Sequence, residues 1–320
     1  MSDGAVTRDA KIFVAGHRGM VGSAIVRRLQ AGGYRRILTR PRSELDLSDF
    51  GAVQAFLRDE RPDYIFAAAA RVGGILANSN YPADFIRDNL AIALNLIEGA
   101  HQAGVQRLMY LGSSCVYPRD CPQPIREEYL LTGPLEPTNE PYAIAKIAAF
   151  GLCEAYNRQF GRQYLRVMPT NLYGPGDNYT IERSHVIPAL LRRVHEAKQR
   201  GDATLTVWGS GAPRREFLFV EDMADACVFL MERDYDGPLL NIGVGSDISI
   251  ADLARLVLRT EGAEMTLEFD ASKPDGTPRK LLDVSRLTAL GWTARTGLEE
   301  GLREAYRSYL AAETGAPPAP

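Results

Sequence analysis

Three glycines, Gly16, Gly19 and Gly22, follow the apolar run Lys11 to Ala15 and open a segment with helical spacing. Val21, Ile25 and Leu29 supply that spacing through Met20 to Gln30. An apolar run this short and uninterrupted reads as a parallel strand buried on both faces. Glycines between strand and helix let the backbone approach a pyrophosphate, and the helix N-terminus favours its charge. In isolation the pattern reads equally as a glycine-rich turn. Its place at the first strand-to-helix turn of the chain favours the dinucleotide reading.

The residues that follow keep alternating. Strands are predicted at 36–39, 64–68, 107–112 and 163–168, and helices at 50–58, 82–103 and 140–160. Pro82 suits the first turn of its helix. This order predicts an α/β fold, a Rossmann-type doubly wound parallel sheet. After Asn171 glycine and proline cluster in YGPGDN, and the elements shorten. A cofactor domain over 1–170 and a smaller α/β substrate-binding domain over 171–320 are expected, with about 216–240 returning to the first. Strands are expected at 207–208 and 216–220. A helix is expected over 247–259 with Ser249 as its N-cap, and a disordered tail over 312–320.

Composition narrows the function classes. With 45% hydrophobic and 24% charged residues and a net charge of -3, the chain reads as a soluble globular protein. No basic run suggests a nucleic-acid surface. The longest apolar stretch, Tyr64 to Ala77, is broken by Arg71 and is too short for a bilayer, so no membrane partner is expected. Met1 to Ala10 lacks the apolar region of a secretory signal. Cys115, Cys121, Cys153 and Cys227 form no CxxC pair, and the four histidines form no HExxH motif. A cytoplasmic protein with reduced thiols and no metal is expected.

The chemistry-bearing residues lie at strand ends. Thr39-Arg40-Pro41-Arg42 follows the second strand, where an NAD-binding chain carries an acidic residue. Arg40 and Arg42, with Arg18 in the glycine loop, suit a 2′-phosphate and point to NADP. Alternatively they are solvated surface arginines. Tyr142 and Lys146 form YxxxK, which places both on one helix face. A phenol near ~10 is a poor proton carrier at neutral pH, and a neighbouring ammonium lowers it. Ser113, Ser114 and Cys115 stand at the end of the fourth strand, where such sheets bind ligands. His17, His101 and His195 read as structural, although His17 lies in the glycine loop.

Together these motifs resemble the extended short-chain dehydrogenase/reductase superfamily. The longer stretches GHRGMVGSAI, AARVGGILAN, LGSSCVYP, EPTNEPYAIAKIA, MPTNLYGPGDN, SHVIPALLRR and KPDGTPRKLLD are similar to its GDP-L-fucose synthase family. The likeness spans nearly the whole chain, from about Lys11 to about Tyr309. It implies a GDP-sugar substrate, epimerised at C3 and C5 and then reduced at C4 by NADPH. By this resemblance Tyr142, Lys146 and Ser113 serve the reduction, and Cys115 and His185 are base and acid of the epimerisation. Gly16, His17, Arg18, Gly19, Met20, Val21, Gly22, Arg40, Arg42, Leu111, Gly112, Ser114, Lys146, Pro169, Asn171, Leu172 and His185 would hold the cofactor. Arg193, Trp208, Arg215 and Asp275 would hold the nucleotide sugar.

The resemblance also implies a homodimer, with the helices at 82–103 and 140–160 as candidates for the interface. Arg183 and Phe219 depart from the family pattern in ways expected to alter the substrate pocket. The stretch Asp234 to Asn241 is shorter than in some members. Related enzymes acting on GDP-L-colitose or 6-deoxyheptose precursors, a UDP-hexose 4-epimerase and an NADP-sensing binding protein remain as other readings.

Overall fold

A computed structural model describes residues 6–180, 184–273 and 275–314. Its first half alternates β1 (Lys11–Ala15), α1 (Met20–Ala31), β2 (Arg36–Leu38), α2 (Phe50–Glu60), β3 (Tyr64–Ala67), α3 (Ile75–Asn80), α4 (Pro82–Gln102), β4 (Arg107–Leu111), α5 (Glu140–Phe160) and β5 (Gln163–Pro169). Local chemistry sets several of these ends. Asp49 caps α2 by accepting from Ala52 N at 3.0 Å. Pro82 opens α4, and Gly161 closes α5 in the left-handed region at φ 63°.

The second half adds β6 (Asn171–Tyr173), α6 (Val186–Arg200), β7 (Thr204–Trp208), β8 (Arg214–Arg215), β9 (Phe217–Phe219), α7 (Val220–Glu232) and β10 (Leu240–Ile242). It ends with β11 (Ile248–Ser249), α8 (Ile250–Glu261), β12 (Thr266–Asp270), β13 (Arg279–Lys280), α9 (Ser285–Ala289) and α10 (Leu298–Thr314).

The central sheet runs β10-β5-β4-β3-β1-β2, and every pairing in it is parallel. The fold is of the Rossmann type. The chain moves from β1 outward to β2, then crosses back to β3 on the other side of β1. The loops after β1 and β3 therefore diverge and leave a crevice at the carboxyl edge. Two apolar cores flank the sheet, one containing α1 and α7 residues and the other α2, α4 and α5 residues. A third core joins α6, α8 and α10 to β7 and β9.

Some expectations shift. The predicted strand 216–220 is β9, and Val220 already starts α7. Helix α7 escapes the sequence reading because Val220, Met223, Ala224, Ala226, Cys227, Val228, Leu230 and Met231 are all buried. A helix apolar on most sides shows little polar periodicity. The predicted helix from Asp247 starts instead at Ile250, with Ser249 accepting from Asp252 N at 3.0 Å. Residues 312–314 of the expected tail extend α10. Residues 315–320 lie outside the described residues, as does Arg183. Phe219 is buried in the third core, its ring 5.7 Å from that of Tyr173.

One buried carboxylate ties the second half together. Glu216 is fully buried and accepts from Val244 N at 2.7 Å, Gly245 N at 2.8 Å and Leu282 N at 2.9 Å. Glu216→Ala strands three amides without an acceptor. A loss of at least about 3 kcal/mol is expected in urea unfolding, or failure to accumulate soluble protein. Unchanged stability would refute this role.

Candidate active site

A cavity of about 970 Å³ opens at the carboxyl edge of the sheet. Its walls include Gly16, His17, Arg18, Gly19, Met20, Val21, Arg40, Arg42, Leu111, Gly112, Ser113, Ser114, Tyr142, Lys146, Pro169, Asn171, Leu172 and His185. Residues more than a hundred positions apart in the sequence thus share one wall. Gly22 is absent from the lining because it packs inward, where a Cβ would collide with the Gly16 carbonyl. Gly16 adopts φ 84°, and a Cβ there would stand 2.8 Å from the Ala69 backbone. This cradle fits a dinucleotide pyrophosphate: bare backbone at the tip of α1, inside a cavity of sufficient length.

Sequence reasoning missed part of the wall. Leu45, Asp46, Leu47 and Ser48 after β2, and Ala68 to Val72 after β3, also line the cavity. Their position at strand ends was the available signal. Among the arginines, Arg40 Nη2 donates to Glu60 at 2.9 Å, with its guanidinium 5.3 Å from the Phe56 ring centre. It is bound into the protein. Arg42 is 81% exposed and pairs with Asp46 at 3.1 Å. Such a pair holds weakly and yields readily to a phosphate. Arg18 is exposed at the rim.

Lys146 and Tyr142 share a face of α5, with Lys146 Nζ 5.8 Å from the Tyr142 ring centre. The ammonium donates to the Leu111 carbonyl at 2.8 Å and lies 4.7 Å from the Tyr110 ring centre. Burial pulls Lys146 down to about 8, partly opposed by Cys115. The expected lowering of Tyr142 does not appear. Burial, reinforced by Cys115 and Tyr110, raises the phenol well above its ordinary value. Desolvation outweighs the ammonium, one of whose three N–H groups goes to Leu111.

Ser113 precedes a 3-10 turn, Ser114–Val116, that carries Cys115. Burial raises the Cys115 thiol, while Lys280, a hydrogen bond with Ser113 and Lys146 oppose that rise. His185 caps α6 with extended backbone, keeps contact with solvent, and is lowered by partial desolvation.

The other predicted residues gather in a second arm outside the first cavity. Arg193 on α6 donates to the Thr206 carbonyl. Two residues on, Trp208 ends β7, 63% exposed, with Lys273 5.6 Å from its ring centre. The next turn holds Asp275, which accepts from Ser210 N at 2.9 Å and Ser210 Oγ at 2.6 Å. Arg215 adjoins Gly276, where a Cβ would lie 2.9 Å from its guanidinium. Two arginines, a carboxylate and an open indole thus surround one surface. Among the described residues no cluster of three His, Cys, Asp or Glu side chains is placed to hold a metal, and no helix is long and apolar enough to cross a membrane.

This geometry has counterparts in known proteins. A sequence model of the "NAD dependent epimerase/dehydratase family" matches residues 12–243. GDP-L-fucose synthase 1 of Arabidopsis thaliana is 54% identical over 95% of this chain and 94% of its own. The chain belongs to the GDP-L-fucose synthase family. A further relative, GDP-L-fucose synthase of Escherichia coli K12, is 54% identical over 94% of this chain and 96% of its own. The crystal structure of a GDP-L-fucose synthetase from Naegleria fowleri bound to NADP superposes with a TM-score of 0.90. It is 30% identical and covers 98% of this chain and 96% of its own.

Within this family fold, the buried lysine gives a stability test. Lys146 titrates at about 8 when folded against an ordinary value of 10.5. Between those values the unfolded chain holds the extra proton, so stability rises with pH there. The penalty is full below pH 8. Lys146→Met is therefore expected to gain the order of 1 kcal/mol at pH 7, and to lose that advantage by pH 10. Urea unfolding at the two pH values checks it; a variant less stable at pH 7 would contradict it.

Proposed function

We propose that the protein converts GDP-4-keto-6-deoxy-D-mannose to GDP-L-fucose, epimerising C3 and C5 before reducing C4. The observation that carries this reading is the junction of two sites at the Ser113–Cys115 turn. A dinucleotide cavity lined by Ser113 and Ser114 reaches it from one side, and on the other Arg215 of the arm pairs with Lys280, whose charge acts on Cys115. NADPH, when bound, supplies the hydride for C4. The division of labour follows: residues 1–170 chiefly hold the cofactor and much of 171–320 holds the nucleotide sugar.

The 4-keto group acidifies the hydrogens at C3 and C5. Cys115 as thiolate removes one of them, and Ser113 and Tyr142 hydrogen-bond the C4 oxygen as it gains charge. His185 as imidazolium returns a proton from the opposite face and inverts the centre. A lowered imidazole releases its proton readily, and its solvent contact lets it reload between the two inversions. Tyr142 then protonates the C4 oxygen during reduction. Burial keeps the phenol protonated at neutral pH, as a proton donor must be.

Selection of NADP over NAD rests on Arg42 and Arg18, with Arg40 shaping the loop through Glu60. Leu94 on α4 and Ile144 on α5 are large exposed apolar residues, 48% and 41% exposed, and support the homodimer read from those helices.

Incubation with GDP-4-keto-6-deoxy-D-mannose and NADPH, followed by NMR of the product sugar, tests the assignment. GDP-L-fucose is expected. Faster turnover of a GDP-4-keto precursor of colitose or of a 6-deoxyheptose would overturn it. Tyr142→Phe should nearly abolish NADPH oxidation yet retain exchange of the C3 or C5 hydrogens with solvent. Cys115→Ala should lose that exchange. For the cofactor, Arg42→Ala should weaken NADPH roughly tenfold and leave NADH unchanged; equal wild-type affinity for both would refute the preference.

A further inference from the structure

The loop that carries Cys115 is fastened to the residues just after β13. Ile125 N donates to Leu281 O at 2.7 Å, Asp283 N to Ile125 O at 2.8 Å, and Leu281 N to Gln123 Oε1 at 2.9 Å. Leu282 and Cys115 pack into the same apolar core. Lys280 ends β13, directly before this seam. On its other side it pairs in parallel register with Arg215 on β8. Lys280 therefore stands where the nucleotide-sugar arm meets the Cys115 turn.

Its surroundings restrict what its charge can do. The groups that reach it are Arg215 on β8, Glu136 ahead of α5, and Cys115 and Cys121 in the loop after β4. Glu136 is largely spent: it accepts from Thr138 N, Thr138 Oγ1, Asn139 N and Asn139 Nδ2 at 3.2, 2.6, 3.0 and 2.9 Å. Arg215 repels it. Burial lowers the ammonium, and Cys115 gives the strongest favourable charge against that loss. The relation is reciprocal. Of the influences that favour the Cys115 thiolate, Lys280 ranks ahead of Ser113 and Lys146. From α5, Tyr142 faces the same thiol, and Lys146 is already bonded to Leu111.

We propose that Lys280 is a positioning residue for Cys115, its ammonium held by the β13–β8 pair and the Ile125 seam so that it stabilises the thiolate. The proposal rests on Cys115 as the epimerisation base. It assigns Lys280 a task in the substrate-free protein, distinct from holding an anionic ligand.

Iodoacetamide alkylation of Cys115 tests it, in a Cys121→Ser background where Cys153 and Cys227 are buried. Removing one close opposite charge raises a thiol by about one unit. Thiolate then falls tenfold while its nucleophilicity rises, so alkylation at fixed pH should slow about fourfold in Lys280→Met and Lys280→Gln. Lys280→Arg should stay near wild type. The exchange of C3 and C5 hydrogens should move to higher pH in the neutral variants. Unchanged alkylation in whichever neutral variant keeps the wild-type melting profile, with only KM raised, would overturn the proposal and leave Lys280 as an anion holder. Cys115→Ala separates the two claims: retained exchange there refutes Cys115 as base, while the alkylation rates still judge Lys280.

Discussion

The close approach of Gly16, Gly22 and Ala69 governs the rest of the structure. Side chains at the two glycines would occupy space filled by backbone. Their absence lets α1 start directly against the end of β1 and lets the first residues after β3 lie against Gly16 before the two loops diverge. The cavity has its depth because these three segments touch. The end of β4 and the tip of α5 then complete a wall whose floor is already set. The bare-backbone cradle at the tip of α1 depends on that contact.

Burial acts on the proton-handling groups in one direction. It raises Tyr142 and Cys115 and lowers Lys146, His185 and Lys280, so each is pushed toward its neutral form. A site built this way stores little charge of its own. Charge that develops on a substrate oxygen meets donors in a desolvated setting, where electrostatic interactions are strong. Lys280 and Lys146 favour the charged form of the thiol, whereas at the phenol burial prevails although Lys146 Nζ lies 5.8 Å from the Tyr142 ring centre.

Much of this was legible in the sequence because it is local. The glycine loop, YxxxK on one helix face and Ser113 at a strand end each follow from spacing of a few residues. Helix α5 kept its predicted bounds for the same reason: its proline and terminal glycine mark both ends. What escaped depends on pairing across the chain. Lys280 acquires meaning only beside Arg215 and the Ile125 seam. Nothing local shows that Arg40, which lines the cavity, also pairs with Glu60, twenty residues on, or that Phe219 packs beside Tyr173. The lowering expected for Tyr142 failed because desolvation belongs to the assembled site and not to the motif.

The seam between residues 123–125 and 281–283 sets an order on assembly. During synthesis the N-terminal strands and helices leave the ribosome long before β10 adds the edge of the sheet or Leu281 receives the Cys115 loop. A nascent chain ending near residue 170 has its nucleotide cradle but an open sheet edge beside β5 and an unanchored cysteine loop. The Cys115 loop acquires its surroundings only when residues 281–283 arrive. Long-range closure of this kind slows folding, and it keeps the site incomplete until that segment is in place.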